Sequence, residues 1–413
     1  MLHLLLAVGY TMGTMSILAH VKALPADPIF GLAKQIESDS RKGKVDLTVG
    51  IYYDEHLRNR KLDVVAEAEA RLLRTEENKA YLPITGNSRF IDSSRSLVFG
   101  EGFASAERGR FIGAQAVGGT HALRLGAELL KREVTHRLLL SSPTWPNHLG
   151  IFGECGMEVT EYPYYDPVTH ASVLSKMSEK LGSVPERSIV LLHVCCHNPT
   201  GCDPTKEEWK ALSSLMLRKR LIPFFDFAYQ GFARGLEEDA WPVRYFASEG
   251  HELFVAHSFS KTFGLYGERV GALHCLLRDR ETAERGDTVL QRLIRTTLSN
   301  PPLHGAAIVT EIVSDPTLKG RFVDELAAMR SRIMAVRTML IEALATRFGE
   351  KHFAFLRGHR GMFSILDLSD ETMRALRKEW GVYLTRGGRV NLTGLNEVNL
   401  PRFVDALARV IAS

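Results

Sequence analysis

Short apolar runs alternate with helical patterns along the middle of this 413-residue chain. The runs have the length and apolarity of buried parallel strands. They lie at residues 137–142, 188–194, 221–227 and 253–260. Between them come helical patterns such as the one that starts at Thr205, where Thr205 and Glu208 predict a capping box. This alternation predicts an α/β fold built on a large, doubly wound and mostly parallel sheet.

Polar residues follow three of these runs. Asn198, Asp226 and Lys261 lie at or just beyond the carboxyl ends of the predicted strands. In an open α/β sheet those ends meet at one edge, and ligands bind in the crevice outside it. The three side chains are therefore expected to share one crevice.

The segment SFSKTFGLYGERVG, residues 258–271, contains the most reactive candidate side chain. Lys261 has apolar neighbours, and burial lowers the pKa of a lysine so that its free amine can form an imine with an aldehyde or ketone. Arg269 offers a planar set of donors that suits a phosphate, and Ser258 and Ser260 add hydroxyl donors. The same residues taken alone also suit a loop lysine beside a surface arginine, so other segments have to decide.

The segment resembles the lysine signature of the class I aminotransferases that use pyridoxal phosphate, in particular their aspartate aminotransferase subgroup. Four further segments match that family in its order, although each taken alone is a common turn, core stripe or helix cap. They are GGT at 118–120, SSPTWPNH at 141–148, HNPTG at 197–201 and FDFAYQGFARG at 225–235. The resemblance implies fold type I of the pyridoxal-phosphate-dependent transferases, with a large sheet domain and a smaller α/β domain.

The resemblance also implies how the residues around the cofactor ring act. Lys261 would hold the cofactor covalently and later carry a proton. Asp226 would keep the pyridine nitrogen protonated, which makes the ring an electron sink. Tyr229 and Asn198 would bind the phenolic oxygen of the ring, and Trp145 would stack on its face.

Further residues are assigned in the same way. His148 would orient Asp226 from behind. Gly118, Gly119 and Thr120 would bind the cofactor phosphate at a helix N-terminus, together with Ser258 and Arg269. His121 stands where the family usually has glycine, and we expect it to crowd the phosphate end without abolishing binding.

The substrate end is predicted from the need of a dicarboxylate for two arginines. By resemblance, Arg389 binds the α-carboxylate beside Gly50, Trp145 and Asn198. Arg295 would reach the side-chain carboxylate from the neighbouring subunit, near Ser299 and Asn300, and Tyr81 would cross the same interface to the cofactor phosphate. The implied assembly is a homodimer with shared active sites that acts on small amino acids and 2-oxo acids.

The implied reaction is the reversible transfer of the amino group from L-aspartate to 2-oxoglutarate, which gives oxaloacetate and L-glutamate in a ping-pong cycle. Two arginines can coexist with a pocket that admits an aromatic ring, so an aromatic or broad-specificity aminotransferase is the alternative. A nicotinamide dehydrogenase is disfavoured because no G-x-G-x-x-G turn stands in a suitable place. The complete set of site residues disfavours a non-catalytic scaffold.

Composition disfavours several other classes. The 52 basic residues are dispersed among 48 acidic ones and the formal charge is only +4, which predicts no nucleic-acid partner. The five cysteines lack the spaced pairs of a metal site, so we expect no metal and a reducing compartment.

The predicted domains are an N-terminal extension at 1–26, a small domain at 27–59 and 316–413, and a large cofactor domain at 60–315. The small domain is expected to contain a long helix from about residue 324 and short strands around Phe353, Met362 and Arg389. The apolar stretch from Leu4 to Ala19 is too short and mixed to span a membrane. It has no acidic residue, as is usual for a mitochondrial presequence, but it also lacks the basic residues that such a presequence normally has. We therefore expect an atypical presequence for the mitochondrial matrix, with the cytoplasm as the alternative.

Overall fold

The computed structural model describes residues 16–23 and 28–412, so the predicted presequence lies largely outside the described residues. The helices are α1 (Pro28–Ser38), α2 (Asp63–Thr75), α3 (Ser88–Phe99), α4 (Glu101–Ala106), α5 (Gly118–Glu133), α6 (Asn147–Glu154), α7 (Leu174–Ser183), α8 (Lys206–Arg218), α9 (Leu236–Ser248), α10 (Arg280–Thr297), α11 (His304–Ser314), α12 (Pro316–Phe348), α13 (Asp370–Ala375) and α14 (Leu400–Ala412). The strands are β1 (Val45–Asp46), β2 (Phe111–Val117), β3 (Arg137–Ser142), β4 (Glu158–Pro163), β5 (Tyr165–Asp166), β6 (Ala171–Ser172), β7 (Ile189–His193), β8 (Ile222–Phe227), β9 (Leu253–Ser258), β10 (Val270–Leu276), β11 (Phe363–Ile365), β12 (Val382–Tyr383) and β13 (Arg389–Asn391).

A seven-stranded sheet forms the centre of the molecule, in the order β2-β10-β9-β8-β7-β3-β4. Strands β3, β4, β7, β8 and β9 pair in parallel, whereas β10 pairs antiparallel with both β2 and β9. Every residue of β7, β9 and β10 is buried, as expected for strands covered on both faces. The four predicted strands are thus present as β3, β7, β8 and β9.

The reversal of β10 determines where the chain returns to the sheet. The chain leaves β9 at Ser258 and enters β10 at Val270, and these strands are antiparallel neighbours. The connection therefore leaves and re-enters at the same edge of the sheet, unlike the crossovers that join the parallel strands. Lys261 and Arg269 both lie on this short return.

Helix α8 shows how local sequence fixes an element that positions the site. The Thr205 hydroxyl accepts from the Glu208 backbone N–H at 3.2 Å, and the Glu208 carboxylate accepts from the Thr205 N–H at 2.7 Å. The predicted capping box is therefore present. It starts α8 a few residues after the segment that carries Asn198.

A second layer is formed by segments from both ends of the chain. Strand β1 pairs in parallel with β12, and β11 pairs antiparallel with β13. Helix α12 is longer than predicted, because Asp315 caps it at Thr317 and Leu318. Strands occur near Met362 and at Arg389, but the strand expected around Phe353 is wrong, since Phe353 precedes a short 3-10 helix, Ala354–Gly358. The proposed domain limits stay a prediction.

Two further observations concern the described residues alone. None of their helices is both long enough and apolar enough to cross a membrane. Nor do three or more of their acidic, histidine or cysteine side chains cluster in a way that could hold a metal ion. The five cysteines are buried and free.

Candidate active site

A cavity of about 360 Å³ opens at the carboxyl edge of the central sheet. Most of the predicted site residues line it. They are Gly50, Gly119, Thr120, Trp145, Asn198, Asp226, Tyr229, Ser258, Ser260, Lys261, Arg269 and Arg389. Asn198, Asp226 and Lys261 come together because β7, β8 and β9 are parallel neighbours that end at the same edge.

Asp226 is held at the base of this cavity by a histidine, as predicted. Nε2 of His148 lies 3.0 Å from Oδ2 of Asp226, and Nδ1 of His148 lies 2.8 Å from the Thr144 hydroxyl. A carboxylate only accepts, so Nε2 carries the proton towards Asp226. Burial opposes the charged form, but the His148 hydrogen bond and, to a smaller extent, the nearby Lys261 hold the pKa of Asp226 below its ordinary value. The cavity therefore has a permanent negative charge at its base.

The sequence analysis missed His193, which ends β7 and also lines the cavity. Its ring lies 5.1 Å from that of His148, nearly perpendicular to it, and its Nε2 lies 3.3 Å from the Thr144 hydroxyl. Burial lowers its pKa to about 3, so the ring is neutral. His193 thus helps to hold the Thr144 hydroxyl, which is the hydrogen-bond partner of His148 on the side away from Asp226. The available signal was its place at the strand end, five residues before Asn198.

Lys261 faces the cavity on the return between β9 and β10. Desolvation by the surrounding protein lowers the pKa of its amine, and the nearby arginines act in the same direction, whereas Asp226 opposes them. Its Nζ lies 5.3 Å from the centre of the Tyr229 ring. Burial raises the pKa of the Tyr229 hydroxyl, which therefore keeps its proton. The pair supplies a reactive amine beside a neutral hydroxyl.

One end of the cavity is built for an anion. Helix α5 begins at Gly118, whose φ of +78° and close approach to Arg269 leave no space for a side chain, since a Cβ would lie 2.4 Å from Nη2 of Arg269. A Cβ at Gly119 would lie 3.0 Å from Cβ of Ser258. Free N–H groups at the start of the helix, two buried serines and one arginine therefore converge at this end.

His121 does not line the cavity, contrary to the expectation that it would crowd the anion end. Its Nδ1 accepts a hydrogen bond from the Val117 N–H at 3.1 Å. Burial lowers the pKa of the ring to about 4, so that it remains neutral and can accept. The side chain therefore turns back to the preceding strand and caps its end.

Arg389 forms the opposite end of the cavity. It is only 3% exposed. Its Nη1 donates to Oδ1 of Asn198 at 2.9 Å, and its Nη2 donates to the Thr48 carbonyl at 2.6 Å. Its Nε is buried without a hydrogen-bond partner, and its guanidinium lies 4.3 Å above the Phe363 ring. A positioned, partly unsatisfied cation of this kind suits a carboxylate.

Tyr81 and Arg295, the residues predicted to act across a subunit interface, lie outside the cavity in the single chain. The Tyr81 side chain is 92% exposed. Arg295 lies at the exposed end of α10, where its Nη1 donates to the Ser299 hydroxyl at 2.6 Å. Asn300 donates to the Leu82 carbonyl instead. The structure therefore leaves the predicted contribution of a second subunit untested.

Comparison with known proteins places the chain in a family. Residues 42–407 match the aminotransferase class I and II family. The chain is 42% identical to the aspartate aminotransferase of Escherichia coli (strain K12) over 393 residues, which cover 95% of this chain and 99% of that one. It is 39% identical to the mitochondrial aspartate aminotransferase of Xenopus tropicalis over 395 residues, which cover 95% of this chain and 92% of that one.

A solved structure agrees with these matches. The aromatic-amino-acid aminotransferase of Burkholderia pseudomallei, covalently bound to pyridoxal phosphate, has a TM-score of 0.92 and 40% identity, over 96% of this chain and 100% of that chain. The chain belongs to the aminotransferase class I and II family. The predicted family and the predicted α/β fold class are confirmed.

Proposed function

We propose that this aminotransferase transfers the amino group of L-aspartate to 2-oxoglutarate. The observation that carries the proposal is the cavity itself, with an anion end at α5, a carboxylate at its base and the buried Arg389 at its far end. A dicarboxylic amino acid needs two cationic partners. Arg389 supplies one of them, and Arg295 of a second copy of the chain supplies the other.

Pyridoxal phosphate is the cofactor that fits these residues. The phosphate would lie against Gly119, Thr120, Ser258 and Arg269. At this end of the cavity, Gly118 and Gly119 pack so closely against Arg269 and Ser258 that neither position has space for a side chain. The negative charge of Asp226 would face the ring nitrogen, and Lys261 would hold the ring covalently. When bound, the cofactor supplies an electron sink for the electrons released at the substrate Cα.

Each step around the substrate is assigned to a residue of this chain. Arg389, kept in place by Asn198, binds and orients the α-carboxylate. Lys261, freed from the cofactor, accepts the Cα proton because its lowered pKa leaves a larger fraction of its amine neutral. The protonated Tyr229 would donate its hydroxyl proton in a hydrogen bond to the phenolic oxygen of the cofactor ring. Asp226 remains charged throughout, since His148 donates to it from behind.

The test is a comparison of kcat/KM for aspartate with that for tyrosine and phenylalanine, each with 2-oxoglutarate as acceptor. Two arginine partners predict aspartate as the best donor, by about tenfold or more, because a charge-assisted bidentate contact contributes about 1.5–3 kcal/mol. A higher kcat/KM for either aromatic amino acid would replace the proposal by the second candidate.

That second candidate is an aromatic or broad-specificity aminotransferase. It is supported by the likeness to the Burkholderia pseudomallei enzyme, whose identity to this chain is similar to that of the Escherichia coli aspartate aminotransferase. The apolar rings of Trp145 and Phe363 line the cavity beside Arg389 and could contact an aromatic side chain.

We also propose that the mature enzyme acts in the mitochondrial matrix, with the cytoplasm as the alternative. A mitochondrial relative from Xenopus tropicalis and a bacterial relative from Escherichia coli have similar identities to this chain. Sequencing the N-terminus of the protein from its native source tests the proposal, because retention of residues 1–20 would contradict it.

A further inference from the structure

A second cavity, of about 260 Å³, lies between α12 and the segment at 357–361. We call it the basic cavity, because Arg337, Arg357 and Arg360 line it against a single acidic residue, Glu342. No residue lines both this cavity and the active site. The proposed aminotransferase chemistry therefore gives these arginines no role.

None of the three arginines forms an ion pair within the described chain, although the Asp203 carboxylate acts on Arg337 and Arg360 from beyond contact distance. Arg337 is only 6% exposed, and its guanidinium donates to the Ser364 hydroxyl and the Gly361 carbonyl. Arg360 donates to the carbonyls of Arg357 and His359. All these acceptors are neutral. A buried guanidinium that contacts no carboxylate is costly, and a bound anion would compensate for that cost.

A buried histidine at the same cavity is also unsatisfied. His359 is 1% exposed, and neither of its ring nitrogens makes a hydrogen bond of ordinary geometry, since its interaction with the His170 backbone is only a weak one. Burial lowers its pKa to about 3, so the ring is neutral and carries one N–H donor. Unpaired buried polar atoms are rare in folded proteins and call for a partner.

Most of the remaining wall of the basic cavity is apolar. Ile333 and Ile341, one on each side of Arg337 along α12, are buried and line it. Apolar walls beside a cluster of cations suit a ligand with a charged head and a short hydrocarbon body.

We propose that the basic cavity binds a small organic anion. A phosphate or carboxylate head would contact Arg337, Arg357 and Arg360, and a short apolar body would pack against Ile333 and Ile341. Both head groups are planar or tetrahedral oxyanions that guanidinium groups bind well.

Isothermal titration of the cofactor-loaded protein with n-butyl phosphate, pentanoate and inorganic phosphate tests this proposal. We expect saturable binding of n-butyl phosphate or pentanoate, and whichever binds more tightly identifies the head group. Inorganic phosphate should bind more weakly than n-butyl phosphate because it lacks the apolar body. Equal binding of these two phosphates, or no saturable binding, would overturn the proposal.

Two variants locate the binding. Arg357→Ala and Arg360→Ala should each weaken it about tenfold, as expected for the loss of one charge-assisted contact. Arg357 is exposed and its guanidinium is unbonded within the described chain, so that variant keeps the test valid if Arg360→Ala does not fold. Arg321→Ala is the matched control, since Arg321 is exposed on α12 and lies outside the cavity. Equal affinity in Arg357→Ala and the control would contradict the assignment.

Discussion

At the scale of single residues, Lys261 carries the most specific prediction. Lys261→Ala should still bind pyridoxal phosphate, because the anion end of the cavity is intact, but it should lose nearly all turnover. The reason is that the variant removes both the covalent link and the amine that moves the proton. Visible absorption spectra and steady-state transamination rates measure the two effects separately.

Lys210→Ala serves as the control for this change. Lys210 is exposed on α8 and lies outside the cavity, so Lys210→Ala removes the same type of side chain without touching the site. Wild-type spectra and rates are expected for it. Substantial turnover by Lys261→Ala would remove Lys261 from the mechanism.

The residues that contact the cofactor or substrate could be predicted from the sequence better than the residues that position them. Asp226 and Lys261 stand out by type and by their place after apolar strands. His193 did not, because a histidine at the end of an otherwise apolar, buried strand is usually a packed core residue. The orientation of His121 depends on a backbone N–H four residues earlier, which its identity alone does not reveal.

At the scale of elements, the N-terminus of α8 offers a test of stability. Thr205→Ala should lower the free energy of unfolding by about 1 kcal/mol, because alanine has no hydroxyl to accept from the Glu208 N–H, whereas the hydrogen bond from the backbone N–H of residue 205 to the Glu208 carboxylate can remain. Urea unfolding followed by circular dichroism measures the change.

Thr346→Ala is the matched control within a helix. The Thr346 hydroxyl donates to the Glu342 carbonyl of its own helix, and alanine has the higher helix propensity, so little change or a slight gain is expected. Equal destabilisation by the two substitutions would show that the capping box contributes nothing specific.

The parallel strands could be predicted because each is a short, continuous apolar run bounded by turn residues. The direction of β10 could not, since a strand buried on both faces has the same composition whichever way it runs. The strand expected around Phe353 was wrong for a related reason. A short apolar run fits a 3-10 turn as well as a strand when it is packed against a long helix such as α12.

At the scale of the whole molecule, the shared active site can be tested with mixed dimers. Lys261→Ala and Arg295→Ala should each have low activity with aspartate as homodimers. Refolding them together in equal amounts should restore about a quarter of the wild-type activity, since half of the dimers are mixed and each then has one complete site.

The opposite result has a clear meaning. If Arg295 served the site of its own chain, both sites of a mixed dimer would keep one defect, and mixing would restore nothing. A mixture of Lys261→Ala with Lys210→Ala serves as the reference for correct assembly. Its activity should fall to the half that is expected from the intact chains alone.

The reversed strand β10 has one more consequence. Because the chain turns back at the same edge, a single continuous loop would hold two neighbouring groups of the cofactor, its aldehyde carbon through Lys261 and its phosphate through Arg269. The spacing of those two groups then limits the permitted length of the loop between Lys261 and Arg269. One inserted residue between them would move one contact out of phase with the other, whereas insertions in surface loops elsewhere would be tolerated. The size of the cofactor would therefore limit how many residues this loop can contain.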